Sequence, residues 1–299
     1  MDAVQLTETA YQLRGGSNAG LIVSPQGGEA VLVDTGLDGD TAKKILRIVE
    51  RLGLRLSAVA ITHAHADHFG GAAVIRARAG VPVYAPALEA AIIENPLLEP
   101  LYLFSGASPI VELRRKFTLA EACPVDAMLE AGSAEIGGVS LRVIPAPGHA
   151  PNQMMVAGGG VCFTGDACFT PGILEKHGIP FYVNVIQAAK TLQALQALDG
   201  RYRFFVPGHG DAAGAIGTWT AANAQRLAEI RDAVTEALPH AAEADEILAR
   251  TADRLGVSIP NPVIHCLMRT TIHACLSALQ EEGRATVMVA ANRLIWVAD

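Results

Sequence analysis

Thr62-His63-Ala64-His65-Ala66-Asp67-His68-Phe69-Gly70-Gly71 places four metal-capable side chains within six residues, directly behind the apolar run Leu56-Ser57-Ala58-Val59-Ala60-Ile61. At a strand end side chains alternate, so His63 and His65 project to one side and can grip one ion. Asp67 and His68 follow where the chain leaves the strand, and face the same space from another angle. Gly70-Gly71 lets Ala72-Ala73-Val74-Ile75 open a helix packed close to the sheet. Imidazole with carboxylate suits zinc, iron or manganese. The competing reading is a polar loop that happens to be rich in histidine, and it weakens with each segment below.

Three more times an apolar strand ends in a glycine turn that presents a single His or Asp. Leu141-Arg142-Val143-Ile144 leads to Pro145-Ala146-Pro147-Gly148-His149. Val161-Cys162-Phe163-Thr164 leads to Gly165-Asp166, and Tyr202-Arg203-Phe204-Phe205-Val206 leads to Pro207-Gly208-His209. One Gly-His turn alone is more often structural. Behind the histidine cluster, however, the three form a set that packing does not require, at the strand ends where sheets carry their ligand sites. His63, His65 and His149 would hold one ion, and Asp67, His68 and His209 a second. Asp166 would bridge them, because a carboxylate has two oxygens to share. Asp34, at the end of Ala30-Val31-Leu32-Val33, is either a turn aspartate or a group that orients a metal-bound histidine.

Composition limits the remainder. A chain of 299 residues with 51% hydrophobic side chains can bury a sizeable core. The formal net charge of -7 argues against a general nucleic-acid binder. The first residues lack the basic and apolar regions of a signal peptide, and no apolar run approaches a membrane span. Cys123, Cys162, Cys168, Cys266 and Cys275 are scattered without a CxxC pair, which reads as reduced thiols in a cytoplasmic protein.

Helical spacing marks Thr41 to Leu52, a short helix ending near Ala79, and Val185 to Leu198. Ala19 to Val23, Ala30 to Val33 and Val81 to Tyr84 read as strands, and 134–144 as a hairpin turning on Gly137-Gly138. From about Ala87 to Leu129 the pattern loosens; this stretch caps a pocket, forms a subunit contact or packs as short helices. Arg114-Arg115-Lys116 is a solvated helix face or a contact for an acidic substrate group.

Taken together, THAHADHFGG, APGH, FTGDA, VPGHG and VDTG resemble the metallo-β-lactamase fold superfamily, over about residues 5–215. The resemblance implies an α+β fold, a four-layer αββα sandwich with its metal site at one edge of two packed sheets. It also implies that Asp34 supports the ligand shell. Members with a bridging Asp, glyoxalase II-like thioester hydrolases and lactonases, are closer than the secreted β-lactamases, which lack it.

The expected activity is that of a dinuclear hydrolase of a small ester, thioester or lactone, with zinc as the first metal to consider and iron or manganese as alternatives. Two dications lower the pKa of a shared water from about 15.7 towards about 7, and Asp67 accepts its proton or orients it. Tyr182 either donates to the substrate oxygen or packs at a helix start. Two other classes stand beside this one. One is a non-haem iron oxidoreductase such as a sulfur dioxygenase on the same fold. The other is a non-catalytic regulator.

Residues 216–299 read as an appendage to a catalytic domain of residues 1–215. Helices over Thr218 to Leu238 and Ala241 to Leu255 precede a third, introduced by Pro260 and Pro262 and running to about Glu282. A hairpin turning near Asn292 closes the chain, so the module looks winged-helix-like. With Arg269 as its main cation, the third helix suits a pocket wall or a homodimer contact better than DNA. His177, His240, His265 and His273 read as packing or surface histidines.

Overall fold

The computed structural model describes residues 1–299. The chain begins with an antiparallel run of strands: β1 (Asp2–Thr7), β2 (Ala10–Arg14), β3 (Ala19–Val23) and β4 (Glu29–Val33). Helix α1 (Gly39–Arg51) then leads to β5 (Arg55–Ala60), the short α2 (Ala66–Phe69), α3 (Ala72–Ala79) and β6 (Val83–Ala85). The loosely patterned stretch folds as α4 (Ala87–Glu94), α5 (Leu98–Leu103), a 3-10 turn at Val111–Arg114 and the two-residue β7 (Ala127–Met128). The second half opens with β8 (Gly132–Ile136), β9 (Val139–Pro145), β10 (Met154–Gly158) and β11 (Val161–Gly165). It continues through α6 (Pro171–His177), α7 (Val185–Gln196) and β12 (Phe204–Pro207). Helices α8 (Gly217–Ala237), α9 (Ala244–Leu255) and α10 (Pro262–Glu281) precede the hairpin β13 (Ala285–Ala290) and β14 (Arg293–Ala298).

Two mixed sheets result. One has the order β1-β2-β3-β4-β5-β6-β7, the other β12-β11-β10-β9-β8. Strand alternation sorts the side chains into layers. On β4, Val31 and Val33 face the second sheet and meet Val143, Val156 and Phe163, whereas Ala30 and Leu32 face Ile45, Ile48 and Ile75 of α1 and α3. On β10, Met154 and Val156 point into the same inter-sheet layer; Met155 and Ala157 point outward to Leu192 and Leu195 of α7. Helix, sheet, sheet, helix is therefore the layer order, and it follows from period-two patterning on strands buried on both faces.

The C-terminal helices share an apolar cluster with Phe169, Leu174, Tyr182 and Val185, so α8 and α10 are packed onto α6 and α7. Ala242 pairs with Trp296 across N···O distances of 3.2 and 2.9 Å, adding a third short segment to the terminal hairpin. The hairpin turns on Ala291 and Asn292, both at positive φ (49° and 65°). This two-residue turn matches the right-handed twist of the strands. All five cysteines are buried and free, and no helix is long and apolar enough to cross a membrane.

Candidate metal centre

Four strand ends converge. His63 and His65 follow β5, His149 follows β9, Asp166 follows β11 and His209 follows β12, while Asp67 and His68 occupy α2. His65 Nδ1 lies 3.1 Å from His63 Nε2 and 2.8 Å from His149 Nε2. Three imidazole nitrogens thus converge on one point, a donor set that suits a cation. A second set brings His209 Nε2 to 3.2 Å from Asp67 Oδ2, with His68 Nε2 at 3.9 Å from the same oxygen. Asp166 lies between the sets. Its Oδ2 is 3.6 Å from both His149 Nε2 and His209 Nε2, and its Oδ1 is 3.6 Å from His68 Nε2.

The fit of these donors to metal is tested by what they lack. His68 Nε2 and Asp166 Oδ1 are buried without any hydrogen-bond partner, a situation that costs about 1–3 kcal/mol per group unless something outside the polypeptide satisfies it. Donor atoms of His63, His65 and His149, and of Asp67, His68 and His209, lie within 4.8 Å of one another in each group. A mixed imidazole and carboxylate set suits zinc, iron or manganese. The residues present fit the group.

Electrostatics separate the histidines. Burial pushes His63 well down and His65 to about 3, and the neighbouring imidazoles add to it. For His68 and His209 burial acts the same way, yet Asp67 and Asp166 outweigh it and raise both, His209 to about 10. In turn, burial opposes ionisation of Asp67 but His68 and His209 hold it at about 2. The carboxylates are thus anionic, as cation binding requires.

A surrounding layer aims each ring. His68 Nδ1 donates to Asp34 Oδ2 (2.9 Å), His149 Nδ1 to the carbonyl of Phe181 (2.9 Å), and His209 Nδ1 to the carbonyl of Gly16 (2.8 Å). His63 Nδ1 faces Thr62 Oγ1 at 3.0 Å. Each bond leaves Nε2 free to face the centre. Asp34 also accepts from the Thr62 amide (2.8 Å) and hydroxyl (2.9 Å). It does so at φ 58°, a left-handed conformation that an aspartate tolerates. The sequence alternative of a mere turn aspartate is therefore corrected: Asp34 is a buried acceptor for the loop that carries the histidines.

Several supporting residues escaped the sequence reading. Glu89 on α4 accepts from the Ala64 amide (2.9 Å) and the Asn152 amide (2.8 Å), tying the His63–His65 loop to the His149 loop. Asn18 binds the carbonyls of Pro207 (2.9 Å) and Gly210 (2.6 Å), and the Ser17 hydroxyl donates to the Asp67 carbonyl, so the turn after β2 clamps both histidine loops. No spacing rule announces such partners, since they lie far away in sequence. Tyr182 is 3% exposed and packs beside Phe169, its amide donating to Thr271 Oγ1 at 2.9 Å. The structure does not bring it to the cavity. Its neighbour Phe181 is there instead, with its ring centroid 5.2 Å from that of His65 and 5.5 Å from that of His149.

The centre opens into a cavity of about 1130 Å³. Its wall includes Glu99 of α5, Arg115, Lys116 and Phe117 beyond the 3-10 turn, and Val263, Ile264 and Leu267 of α10. The 87–129 stretch and the C-terminal helices thus both line the space in front of the donors. Arg114 is turned away, bound to the Pro109 carbonyl and Ser108 Oγ. His177 lines the cavity without joining a donor set, and His240, His265 and His273 do neither.

Comparison with known proteins agrees with this geometry. The sequence model of the metallo-beta-lactamase superfamily matches residues 13–209. A hydroxyacylglutathione hydrolase of Albidiferax ferrireducens is 30% identical over 174 residues, which are 56% of this chain and 53% of that protein. A second, from Alkalilimnicola ehrlichii, is 35% identical over 144 residues, 48% of this chain and 43% of its own length. The chain thus spans about half the length of these curated relatives. Among solved structures, a beta-lactamase domain protein from Burkholderia ambifaria superposes with a TM-score of 0.75 at 17% identity, covering 100% of this chain and 94% of that one. A metallo-beta-lactamase family protein from Thermus thermophilus gives 0.74 at 20% identity over 99% and 100%. At these identities the likeness is one of fold.

Proposed function

The chain belongs to the metallo-beta-lactamase superfamily, and on that premise we propose that it is a dinuclear metal-dependent hydrolase acting on a small ester, thioester or lactone. The observation that carries this reading is the position of Asp166, whose Oδ2 is equidistant, at 3.6 Å, from a nitrogen of each donor set. Bound there, two divalent ions would supply Lewis acidity and a hydroxide at neutral pH.

The chain's own residues do the rest. Asp67, partly open to the cavity, orients the attacking water and takes its proton at a carboxylate oxygen. Phe181 covers the His65 and His149 rings on one side and keeps bulk water from them. Lys44, Arg115 and Lys176 line the cavity, and none of them is engaged in an ion pair; Lys116 is held by Asp38 at 3.1 Å. Lys44, Arg115 and Lys176 are thus the lining cations left free to meet an anionic group on a substrate, with Glu112 as a free acid beside them. Relatives named hydroxyacylglutathione hydrolase support a thioester as the first substrate to test.

The test joins metal analysis to turnover. Wild-type protein is expected to hold two ions per chain and to cleave thioesters without consuming oxygen. Asp166→Ala is expected to lose the second ion and most turnover. Two ions and full turnover in that variant would refute the dinuclear assignment, and one iron with oxygen uptake would point to a dioxygenase instead.

A further inference from the structure

The terminal hairpin leaves the core as it runs outward. At its base Ala285 and Trp296 are 2% and 7% exposed, whereas Val289 and Leu294, paired across the strands near its tip, are 74% and 54% exposed. The opposite face is apolar too, with Met288 49% exposed beside its cross-strand partner Ile295. On its outer side β14 is met by Ala242, which bonds to Trp296. On the outer side of β13 there is no backbone partner. An open strand edge is a template for another strand, and soluble proteins block such edges with Lys, Pro or a bulge. Ala285–Ala290 contains neither residue, and its register runs unbroken from Ala285↔Ala298 to Ala290↔Arg293.

The order of side chains along this edge says what fits it. Thr286-Val287-Met288-Val289-Ala290 carries no charge and is close to a palindrome about Met288. Laid antiparallel against its own copy with Met288 on the two-fold axis, Val287 of each chain faces Val289 of the other, and Thr286 faces Ala290. Such β-branched pairs are favourable cross-strand contacts. Pairing within each hairpin extends the rows. Leu294 and Val289 of one chain continue into Val287 and Trp296 of the other, so the exposed tip of each lies beside the covered base of its copy. On the other face Ile295 and Met288 continue into their own copies. No like charges meet: Arg284 would face Asn292, and Arg293 is already held by Glu243 at 3.5 Å.

We propose that β13 is a dimerisation edge, through which two copies of this chain join into a four-stranded antiparallel sheet of order β14-β13-β13-β14. The contact is isologous and closes on itself, so it ends at two chains. It rests on the hairpin alone and is independent of the hydrolase reading. A pair of short strands is a small contact, so association is expected at about 1–100 µM.

Sedimentation velocity on the full chain, over about 1–500 µM, should show the wild type passing from one chain to two. Met288→Lys sets two ammonium groups opposite each other on the axis and should remain a single chain throughout. Because Met288 is exposed, that variant should keep the wild-type Tm when both are measured at about 1 µM, where the dimer adds little. Crosslinking tests the register. Met288→Cys should be joined to its copy by a short bis-maleimide, with little background because the native cysteines are all buried. Thir286→Cys should not, since its copy would lie four residues away along the strand, roughly 13 Å. The proposal is overturned by a wild type that is still one chain at about 500 µM, which is also the result expected if a lipid surface or an unrelated protein covers the edge. A dimer that persists in Met288→Lys overturns it as well, and so does crosslinking of Thr286→Cys as efficient as that of Met288→Cys.

Discussion

Asp34 Oδ2 lies 2.9 Å from His68 Nδ1 and also accepts the Thr62 hydroxyl at 2.9 Å, so one buried carboxylate at the end of β4 holds the ring of His68 and the entry to the histidine loop together. His68 Nε2, on the far side of that ring, is left with no protein partner. The orientation of a donor is therefore set from the neighbouring strand rather than from its own helix. Asp34→Ala should weaken retention of the second ion by about 10–100-fold. Titration with a chromophoric chelator measures this, with the tighter of the two sites as internal control.

Gly208 precedes His209, and a Cβ placed on it would stand 1.9 Å from Asp166 Oδ1 and 2.8 Å from His68 Cε1. Two donors would have to move to admit one methyl group. Gly208→Ala should lose the second ion while keeping the fold, at a stability cost of about 1–3 kcal/mol. Metal content together with far-ultraviolet circular dichroism checks both halves of that expectation.

Glu89 is buried and receives the amides of Ala64 and Asn152. Burial pushes its carboxyl up and these two bonds oppose it. Glu89→Leu strands two buried amides, each costing about 1–3 kcal/mol. Urea unfolding should show the loss. Glu89→Gln, which retains acceptor capacity, should recover a good part of it.

Arg115 and Lys44 line the cavity without an ion pair. Arg115→Ala and Lys44→Ala should raise KM for anionic thioesters several-fold while leaving kcat nearly unchanged. The effect should shrink in about 1 M salt, where exposed charges are screened within about 3 Å. A neutral thioester should show neither change.

Asp38 caps α1 by accepting the Thr41 amide at 3.0 Å and also meets Lys116 at 3.1 Å. The Thr41 amide is the main cause that lowers its carboxyl from 3.8 to about 2, burial opposing it and Lys116 assisting. A folded pKa below the unfolded one means the stabilisation is fully present above about pH 4 and is lost as pH falls towards 2. Asp38→Ala should cost about 1 kcal/mol at neutral pH and flatten that part of the acid limb. Stability curves between pH 2 and 5 would show it.

The donors were legible for a local reason. Strand periodicity and glycine turns act over a few residues, so HAHADH, PGH, GD and PGH announce both their chemistry and their place at strand ends. Helices α1, α7, α8 and α10 were legible through 3.6-residue spacing. Strands β1 and β2 were not: Gln5, Thr7 and Gln12 interrupt the apolar pattern, and the ladder Val4↔Gln12 and Gln5↔Tyr11 is made of partners the alternation does not mark.

Tertiary structure decided the rest. Tyr182 and Phe181 are adjacent, and a sequence offers the hydroxyl as the more attractive candidate. Packing against α10, where Thr271 takes the Tyr182 amide, turns the tyrosine into the core and leaves Phe181 beside His65 and His149. The partners Asp34 and Glu89 lie 34 and 25 residues from His68 and Ala64, the residues they hold. The identity of the donors was written in the sequence because their spacing is covalent. Which groups aim them, and which side chains wall the cavity, depended on the meeting of distant segments, where burial and unpaired hydrogen-bonding groups select one arrangement.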